Sequence, residues 1–360
     1  MLNDFYAGKR VLVTGHTGFK GSWLCRWLQR MGAQVVGFAL PPEQVPNLFE
    51  AANIGRGMTS VSGDVRDLAA LSEVVAEHRP ELVFHLAAQA LVRRSYRDPV
   101  ETFGANVMGT VNLLEACRRV ASARAIVVVT SDKCYENKEW VWGYRENEPL
   151  GGHDPYSASK ACAELVTSAF QRSYFGAEGG PAVATARAGN VIGGGDWSED
   201  RLVADIVRAA AQGKPVLIRN PRSTRPWQHV LDPLAGYLSL GQRLHETGQA
   251  HVGAWNFGPM EDPLPVGELA RRLVESLGHG ALEIAPVDPA APHEATALRL
   301  DCSKARARLG WRPRLGIEQT LTLTAAWYRG YLADPASAVA LLDTQLAAYE
   351  ALLEGEAEVA

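Results

Sequence analysis

The stretch Val11-Leu-Val-Thr-Gly15-His-Thr-Gly18-Phe-Lys-Gly21 decides the fold of this chain of 360 residues. A short β-branched run leads directly into three glycines, and a helical pattern follows over residues 21–31. Gly15 permits a tight turn, Gly18 lets a pyrophosphate approach the backbone, and Gly21 allows the helix to pack closely on the strand. The first turn of the helix adds oriented N–H groups for an anion. The stretch therefore predicts a dinucleotide-binding turn at the start of a parallel sheet.

Downstream of this turn, short apolar runs alternate with helical patterns. Residues 34–40, 81–88 and 125–131 are typical of strands, and residues 68–78 and 100–120 are typical of helices. Continuous apolar strands that alternate with helices form parallel sheets covered on both faces, so the first half predicts a Rossmann-type doubly wound parallel sheet. The fold class is therefore α/β, with a smaller mixed α/β C-terminal substrate domain.

The second half of the chain has a looser pattern. A helix over residues 156–175 and a strand over residues 183–193 precede segments in which glycine and proline are frequent. No flexible linker separates the two halves. We therefore expect residues 1–185 to form the dinucleotide-binding domain. Residues 186–355 mainly form the second domain and share some strands and helices with the first.

Composition and charge exclude several classes of protein. The chain has 36 basic and 40 acidic residues, so nothing in its charge favours nucleic acid or an anionic membrane as a partner. No apolar run approaches the ~20 residues that span a bilayer, and no hydrophobic leader precedes the first strand. The five cysteines are scattered, and the histidines lack metal-ligand spacing. We expect a cytoplasmic protein without a metal site.

A second motif places a tyrosine and a lysine at the start of a helix. Asp154 and Pro155 are typical of the N-cap and of the first helical position, and Tyr156 and Lys160 then share one helix face. A phenol with a pKa near ~10 is a poor base at neutral pH. A neighbouring ammonium stabilises the phenolate and brings it into a working range. The pair therefore indicates a tyrosine that accepts a proton.

The end of the second predicted strand departs from the pattern typical of NAD-binding proteins. The sequence GFALPPE contains no acid before Glu43 that could bind the adenine ribose, and no arginine that would favour a 2′-phosphate. The choice of dinucleotide is therefore open at this position. Asp64 follows the third predicted strand and could reach the adenine, although an N-cap or turn aspartate fits the same pattern.

Several motifs together resemble the extended short-chain dehydrogenases/reductases. They are the glycine turn, LAAQ at 86–89, NVMGT at 106–110, TSDK at 130–133 and YSASK at 156–160. Longer runs are similar to the CDP-glucose 4,6-dehydratases, the first enzymes on the way to CDP-linked dideoxyhexoses. These runs are GHTGFKGSWL at 15–24, TSDKCYEN at 130–137, GGHDPYSASKACAE at 151–164, ARAGNVIGGGDW at 186–197 and RPWQHVLDPL at 225–234. The resemblance covers nearly the whole chain.

The resemblance implies NAD as cofactor and CDP-glucose as substrate. Such an enzyme oxidises C4, eliminates water across C5 and C6, and returns the hydride to C6. Tyr156 would take the proton of the C4 hydroxyl, Lys160 would hold the nicotinamide ribose, and Ser131 would hydrogen-bond the C4 oxygen. Asp132 would be the acid for the C6 hydroxyl. Lys133 would be the C5 base if burial beside other cations kept its amine neutral; otherwise it only positions the substrate.

The resemblance also implies two sets of binding residues. Asn106 would hold the active-site helix and a relay water, while Arg201 and Arg225 would contact phosphate or nucleoside beside Asn190 on the diphosphate. Trp227 fits core packing almost as well as a binding role. The implied cofactor-binding residues are Gly15, His16, Thr17, Gly18, Phe19, Lys20, Gly21, Asp64, Val65, Leu86, Ala87, Ala88, Asn106, Tyr156 and Lys160. The implied substrate-binding residues are Gln89, Asn190, Arg201, Arg225, Trp227, His229 and His293.

Three other functions are compatible with parts of the pattern. A nucleotide-sugar epimerase would not need the acidic and basic residues that follow Ser131, and a dehydratase for another nucleotide hexose would share all the chemistry. A cofactor sensor without catalysis would keep the fold and typically lose the tyrosine or the lysine. The resemblance further implies a homodimer, with a tetramer as the alternative; the helices around residues 100–120 and after Tyr156 would form the dimer.

Overall fold

A seven-stranded parallel sheet organises the chain, which is described here for residues 2–176, 180–286 and 295–355 of a computed structural model. The strands are β1 (Arg10–Thr14), β2 (Gln34–Ala39), β3 (Thr59–Ser62), β4 (Leu82–His85), β5 (Ala125–Val129), β6 (Ala182–Arg187), β7 (Val191–Ile192), β8 (Pro215–Ile218), β9 (Thr224–Arg225), β10 (Gln228–His229), β11 (Gly253–Asn256), β12 (Leu264–Pro265) and β13 (Ala281–Ile284). The order in the main sheet is β11-β6-β5-β4-β1-β2-β3. The strand order reverses beside β1, as in doubly wound folds.

Helices cover both faces of this sheet. They are α1 (Leu2–Tyr6), α2 (Phe19–Arg30), α3 (Leu48–Ala51), α4 (Leu68–His78), α5 (Val92–Arg97), α6 (Pro99–Phe103), α7 (Gly109–Arg118), α8 (Pro155–Phe170), α9 (Leu202–Ala211), α10 (Leu231–Thr247), α11 (Val266–Leu277), α12 (Ser303–Leu309), α13 (Ile317–Ala333) and α14 (Ala338–Glu354). Two π-helical turns continue α6 and α8, at Gly104–Met108 and Gln171–Phe175. No helix among these described residues is both long and apolar enough to cross a membrane.

The side chains of the central strands divide between two hydrophobic cores. In β5, Val127 and Val129 contribute to one core and Ile126 and Val128 to the other. Every residue of β5 is buried, because both faces carry helices, and the strand consequently has no polar alternation. The predicted α/β fold class is confirmed.

Helix α2 joins the first half of the chain to the second. The indole of Trp23 donates to the carbonyl of Gly194 at 3.0 Å, and the ring of Trp27 meets that of Tyr349 edge-on. Both tryptophans are fully buried in the core that also contains α10, α13 and α14. The helix that begins at the glycine turn is therefore anchored by the C-terminal half as well as by the strands of the first half.

Several predicted boundaries shift in the structure. The strand expected over residues 81–88 ends at His85, and the helix expected over residues 100–120 is α6, a π-helical turn and α7. The residue chosen as the domain boundary lies inside β6, and β11 from the second half forms one edge of the main sheet. The division at residue 185 remains a prediction.

Candidate active site

The carboxyl ends of β1, β4, β5 and β6 open into one large cavity of about 1110 Å³. Ligands of open α/β sheets bind in the crevice outside these strand ends, where the strand order reverses. The glycine turn, Ser131 and Tyr156 line this cavity. Residues from the second half, including Asn190 and Arg225, line it as well.

The glycine turn has the shape that a dinucleotide needs. Gly15 has a φ of +75°, and a Cβ there would lie 2.6 Å from the amide nitrogen of Ala87. A Cβ on Gly21 would lie 2.1 Å from the carbonyl oxygen of Gly15, whereas one on Gly18 would meet only that oxygen, at 3.4 Å. The outer glycines are thus required by close packing, and Gly18 leaves the backbone open to an approaching pyrophosphate.

Most of the predicted cofactor-binding residues line this cavity. They are Gly15, Thr17, Gly18, Phe19, Lys20, Gly21, Asp64, Val65, Leu86, Ala87, Ala88, Tyr156 and Lys160. Asp64 forms an ion pair with Arg66 at 2.5 Å, and this hydrogen bond lowers the pKa of the Asp64 carboxyl. These residues and the glycine turn together fit a dinucleotide.

His16 does not line the cavity with its side chain. Its ring lies directly over Gly37, where a Cβ would be 2.3 Å from the imidazole, and Nε2 lies 2.7 Å from the hydroxyl of Ser60. Burial lowers the pKa of His16 to about 4, so its ring is neutral. The side chain of His16 therefore does not line the cavity, because the space above Gly37 accommodates the ring; a contact of its backbone with the cofactor remains a prediction.

Asn106 also lies outside the cavity wall, but it holds two parts of that wall. Its side chain accepts from the backbone N–H of Gln89 at 2.8 Å and donates to the hydroxyl of Ser159 at 2.8 Å. It thereby ties the loop after β4 to α8. Gln89 does line the cavity, although its amide group already donates to Thr102 and accepts from Leu91.

The tyrosine and lysine of α8 lie where the sequence predicts. The side chain of Asp154 caps the helix by accepting from the N–H of Ser157 at 2.9 Å. Lys160 donates to the carbonyl of Val129 at 3.3 Å. Burial lowers the pKa of Lys160 to about 8, while nearby Glu164 acts in the opposite direction.

The pKa of Tyr156 differs from the expectation. Burial raises the pKa of its phenol, while the hydrogen bond with Ser131 and the charge of Arg201 lower it. Lys160 was expected to depress this pKa; instead, burial of the phenol outweighs the groups that favour the phenolate. The groups that lower the pKa of Tyr156 are therefore Ser131 and Arg201.

Asp132 and Lys133 follow β5 in a single 3₁₀ turn. The Asp132 carboxyl is 1% exposed; one of its oxygens accepts from Ser131 at 3.0 Å, and Oδ2 has no hydrogen-bond partner among the described residues. Lys133 is half-buried and lines the same cavity. Asp132 thus lines the cavity and keeps one buried carboxyl oxygen without a hydrogen-bond partner among the described residues.

Lys20 adds a cation to this cavity. Burial, followed by the charges of Arg201 and Lys160, lowers the pKa of Lys20 to about 7. Sequence reasoning assigns this residue to the glycine turn without distinguishing its side chain from its backbone. Its amine lies near Arg201 and Lys160, and also near the carboxylates of Asp132 and Asp196, which raise its pKa.

The predicted substrate-binding residues fall into three groups. Asn190, Arg201, Arg225 and Trp227 line the cavity together with Gln89. His229 does not: it is fully buried, meets Trp23 edge-on, and accepts from the backbone N–H of Leu231. Its predicted role is corrected, because core packing accounts for its position. His293 lies outside the described residues.

A buried ion pair beneath the site was not predicted. Arg187 and Glu164 are each 3% exposed at their side chains and lie 2.8 Å apart. Glu164 also accepts from the hydroxyls of Thr130 and Thr185, and Arg187 donates to the phenol of Tyr135 at 2.7 Å. The network joins β5, β6 and α8. The sequence signal is Glu164, which is one helical turn after Lys160.

A second ion cluster lines the same cavity, beside the loop that follows β2. Arg94 pairs with Glu43 at 2.5 Å and with Glu101 at 2.6 Å, and all three residues line the cavity. Glu43, the first acidic residue after β2, is thus paired with the guanidinium of Arg94. The cluster provides both a carboxylate and a cation near the position where dinucleotides bind their adenine ribose.

Comparison with known proteins agrees with this geometry. The profile of the GDP-mannose 4,6 dehydratase family matches residues 12–324. The CDP-glucose 4,6-dehydratase of Salmonella typhimurium is 52% identical over 334 residues, which cover 91% of this chain and 93% of that protein. The dTDP-glucose 4,6-dehydratase of Streptomyces niveus is 30% identical, covering 89% and 93% respectively.

Solved structures show the same fold. The UDP-glucose 4-epimerase of Thermus thermophilus, in complex with NAD, has a TM-score of 0.77 and is 29% identical, covering 89% of this chain and 99% of that one. The UDP-glucose 4-epimerase of Thermotoga maritima, with UDP-glucose, has a TM-score of 0.78 at 26% identity, covering 90% and 99%. The resemblance drawn from the motifs is confirmed. The chain belongs to the GDP-mannose 4,6 dehydratase family.

Proposed function

We propose that this chain is an NAD-dependent CDP-glucose 4,6-dehydratase that converts CDP-glucose into CDP-4-keto-6-deoxyglucose and water. One observation carries the proposal: the relative with this activity in its name is 52% identical along 91% of the chain. The cavity supplies the chemistry, since Ser131, Asp132 and Tyr156 line one region of it. An epimerase has no use for a buried acid beside Ser131, and we therefore favour the dehydratase.

The chain's own residues divide the proton transfers. NAD, when bound, supplies the hydride acceptor for C4 and the hydride donor for C6. Tyr156 takes the proton of the C4 hydroxyl, and Ser131 hydrogen-bonds the same oxygen. Lys160 holds the nicotinamide ribose at the base of the cavity. Burial raises the pKa of the Tyr156 phenol. The hydrogen bond with Ser131 and the charge of Arg201 lower this pKa and so favour the phenolate.

The elimination needs an acid and a base. Oxidation at C4 makes the C5 proton acidic, because the electrons left behind delocalise into the carbonyl. Asp132 gives its proton to the C6 hydroxyl, which leaves as water. Lys133 is our candidate for the base at C5 because it lines the cavity directly after Asp132.

The nucleotide diphosphate lies on the wall formed by the second half of the chain. We assign Arg201, Arg225 and Asn190 to it because guanidinium groups bind phosphate bidentately. Arg225 already donates to the carbonyls of Thr224 and Thr296, so its position is fixed before substrate arrives. In this proposal residues 186–355 provide the part of the site that binds the diphosphate.

We further propose a homodimer through the helices beside the active site. Val100, Phe103 and Met108 on the α6 segment and Leu165 on α8 are exposed apolar residues, with Val100 82% exposed. A helix pair that leaves such residues in water is typical of an interface. Light scattering should give twice the chain mass for the wild type and the mass of a single chain for Leu165→Glu; a monomeric wild type would disprove the interface.

The five cysteines form no disulfide, which suits a reducing compartment. We propose that the enzyme acts in the cytoplasm. Measurement of the chain in soluble and membrane fractions of the source cells tests this, and recovery outside the cytoplasm would contradict it.

The deciding experiment is mass spectrometry after incubation with NAD and, separately, CDP-, dTDP-, UDP- and GDP-glucose. Loss of one water from CDP-glucose alone, without net reduction of the cofactor, is the expected result. Loss of water from another nucleotide hexose would keep the mechanism and overturn the substrate. A product of unchanged mass that migrates as an epimer would overturn the dehydratase.

A matched variant tests the mechanism. Tyr156→Phe should bind NAD as the wild type does and lose turnover by ~100-fold or more, because only the proton acceptor is removed. Retention of full activity by this variant would exclude Tyr156 as the base. A chain in which no nucleotide hexose changes at all would favour a cofactor sensor.

A further inference from the structure

Gly189, in the loop between β6 and β7, lies directly against the carboxyl group of Asp132. A Cβ at Gly189 would lie 1.8 Å from Oδ2 and 2.1 Å from Cγ of that carboxyl. The backbone of Gly189 is not in the left-handed region, so any residue could adopt its conformation. Space alone therefore requires a glycine: a side chain fits only if the carboxyl of Asp132 moves.

The surroundings leave the carboxyl little freedom to move. Ser131 donates to Oδ1 at 3.0 Å. On the other side, the buried amide of Gln228 donates to the carbonyls of Gly189 and Phe257 at 3.1 and 3.0 Å, which fixes the loop of the glycine. Asp132 and Gly189 both line the cavity. The carboxyl is thus held between a hydroxyl and an immobilised stretch of backbone.

We propose that Gly189 is a positioning residue for the elimination step, which it serves by fixing the carboxyl of Asp132. In that step the C5 proton passes to the base, and the C5–H electron pair forms the C5–C6 double bond. The C6–O bond breaks as this double bond forms, and the hydroxyl leaves as water with the proton of Asp132. Gly189 itself gives and takes no proton; it acts only through the carboxyl of Asp132. The inference rests on the proposed function, because the role of Asp132 belongs to it.

The test compares Gly189→Ala with a matched control, Gly258→Ala. Gly258 follows β11, the neighbouring strand, and its Cβ would meet its nearest neighbour, Cys302 Sγ, at 3.5 Å, an ordinary contact. Two rates are measured with CDP-glucose: loss of water, and reduction of the nicotinamide in a single turnover with enzyme in excess. The first reports elimination, and the second reports oxidation at C4, which does not involve Asp132.

Gly189→Ala should lower the rate of water loss by ~100-fold or more, as removal of a general acid does, and should retain nicotinamide reduction. Gly258→Ala should retain both rates. In an Asp132→Asn background, Gly189→Ala should cause no further loss, because both changes affect the same group. Unchanged water loss in Gly189→Ala, equal loss of both rates with NAD binding intact, or additive effects in the double variant would each overturn the proposal.

A second measurement covers the case in which Gly189→Ala does not fold. In an Asp132→Ala background the carboxyl is gone, and the added methyl group has room. The double variant should unfold at the same temperature as Asp132→Ala alone; a lower temperature would overturn the packing argument. If the wild type dehydrates no nucleotide hexose, the proposed function fails, and the unfolding data still decide whether Gly189 and Asp132 compete for space.

Discussion

Replacing Glu164 by glutamine should destabilise the chain strongly. The carboxylate of Glu164 accepts hydrogen bonds from Thr130 at 2.5 Å, Thr185 at 2.6 Å and Arg187 at 2.8 Å. Glutamine has nearly the same shape, and the hydroxyls can reorient to its amide. The guanidinium of Arg187, by contrast, would lose the carboxylate with which it forms an ion pair at 2.8 Å.

The magnitude follows from this burial. Removing one partner of a buried ion pair destabilises a protein by ~3–5 kcal/mol, because the remaining charge stays out of water. Folded domains have a total stability of only about 5–15 kcal/mol. Replacing both partners by apolar residues of similar size, in Glu164→Leu with Arg187→Met, should recover part of the loss: no unpaired charge remains, but the hydroxyls of Thr130 and Thr185 lose their acceptor.

Equilibrium urea denaturation measures the effect as a shift of the midpoint at constant slope. The control is Arg145→Met, which breaks an ion pair with Asp301 at 3.0 Å in which the arginine side chain is 69% exposed; its midpoint should not move. A loss below ~1 kcal/mol for Glu164→Gln, the range of exposed pairs, would refute the reasoning. A Glu164→Leu/Arg187→Met variant as unstable as the single variants would refute it as well.

The same substitution should change the pH dependence of activity. Burial lowers the pKa of Lys160 to about 8, and Glu164 opposes this shift. Without the carboxylate the pKa of Lys160 falls further. If the charged lysine is the active form, activity is lost as pH rises through this pKa, and the loss should begin at lower pH in Glu164→Gln. If activity begins to fall at the same pH in Glu164→Gln and in the wild type, Glu164 does not influence the pKa of Lys160.

Three further predictions concern the cofactor turn, a buried histidine and the loop after β4. Gly15→Ala should weaken NAD binding by at least ~10-fold in titration calorimetry through strain and the clash with Ala87, whereas Gly32→Ala, also at φ +75° but with its nearest contact at 3.9 Å, should not; equal affinities would exclude the clash. Burial lowers the pKa of His85 to about 3, so the unfolded chain takes up the proton first and stability falls as pH drops below ~6.5, by ~2 kcal/mol at pH 5; urea midpoints in His85→Gln should show a weaker dependence, and an identical one would contradict this. Asn106→Ala, which frees the loop from α8, should lower kcat by ~10-fold or more and leave NAD affinity unchanged. Steady-state kinetics and binding titrations measure the two effects, and an unchanged kcat would contradict the prediction.

Local sequence accounts for the elements that carry the site. The glycine turn, the capped start of α8 and the buried strand β5 each have their signal within a few neighbouring residues. Asp154 caps α8 as its position predicts, and the apolar run of β5 is buried on both faces. For these elements, the spacing of residue types was sufficient to predict both structure and place.

Side chains whose partners lie far along the chain could not be placed in this way. His229 belongs to the same short run as Trp227, yet it packs against Trp23, which is distant in sequence. The position of the His16 ring depends on Gly37 of the neighbouring strand, which has no side chain and so leaves room for the ring. Arg187 ends β6, where a charge suggests exposure, but its partner on α8 buries it. These positions depend on tertiary contacts between strands and helices.

The anchoring of α2 by the C-terminal half bears on how this enzyme can be taken apart or recombined. A fragment that ends near residue 185 would retain the glycine turn but expose both indoles, Trp23 and Trp27, which are now fully buried. Such a fragment should aggregate rather than bind nucleotide. Exchange of the C-terminal halves between relatives would likewise succeed only if the residues of α2 that pack against that half were exchanged with it. The two surfaces must be complementary to pack.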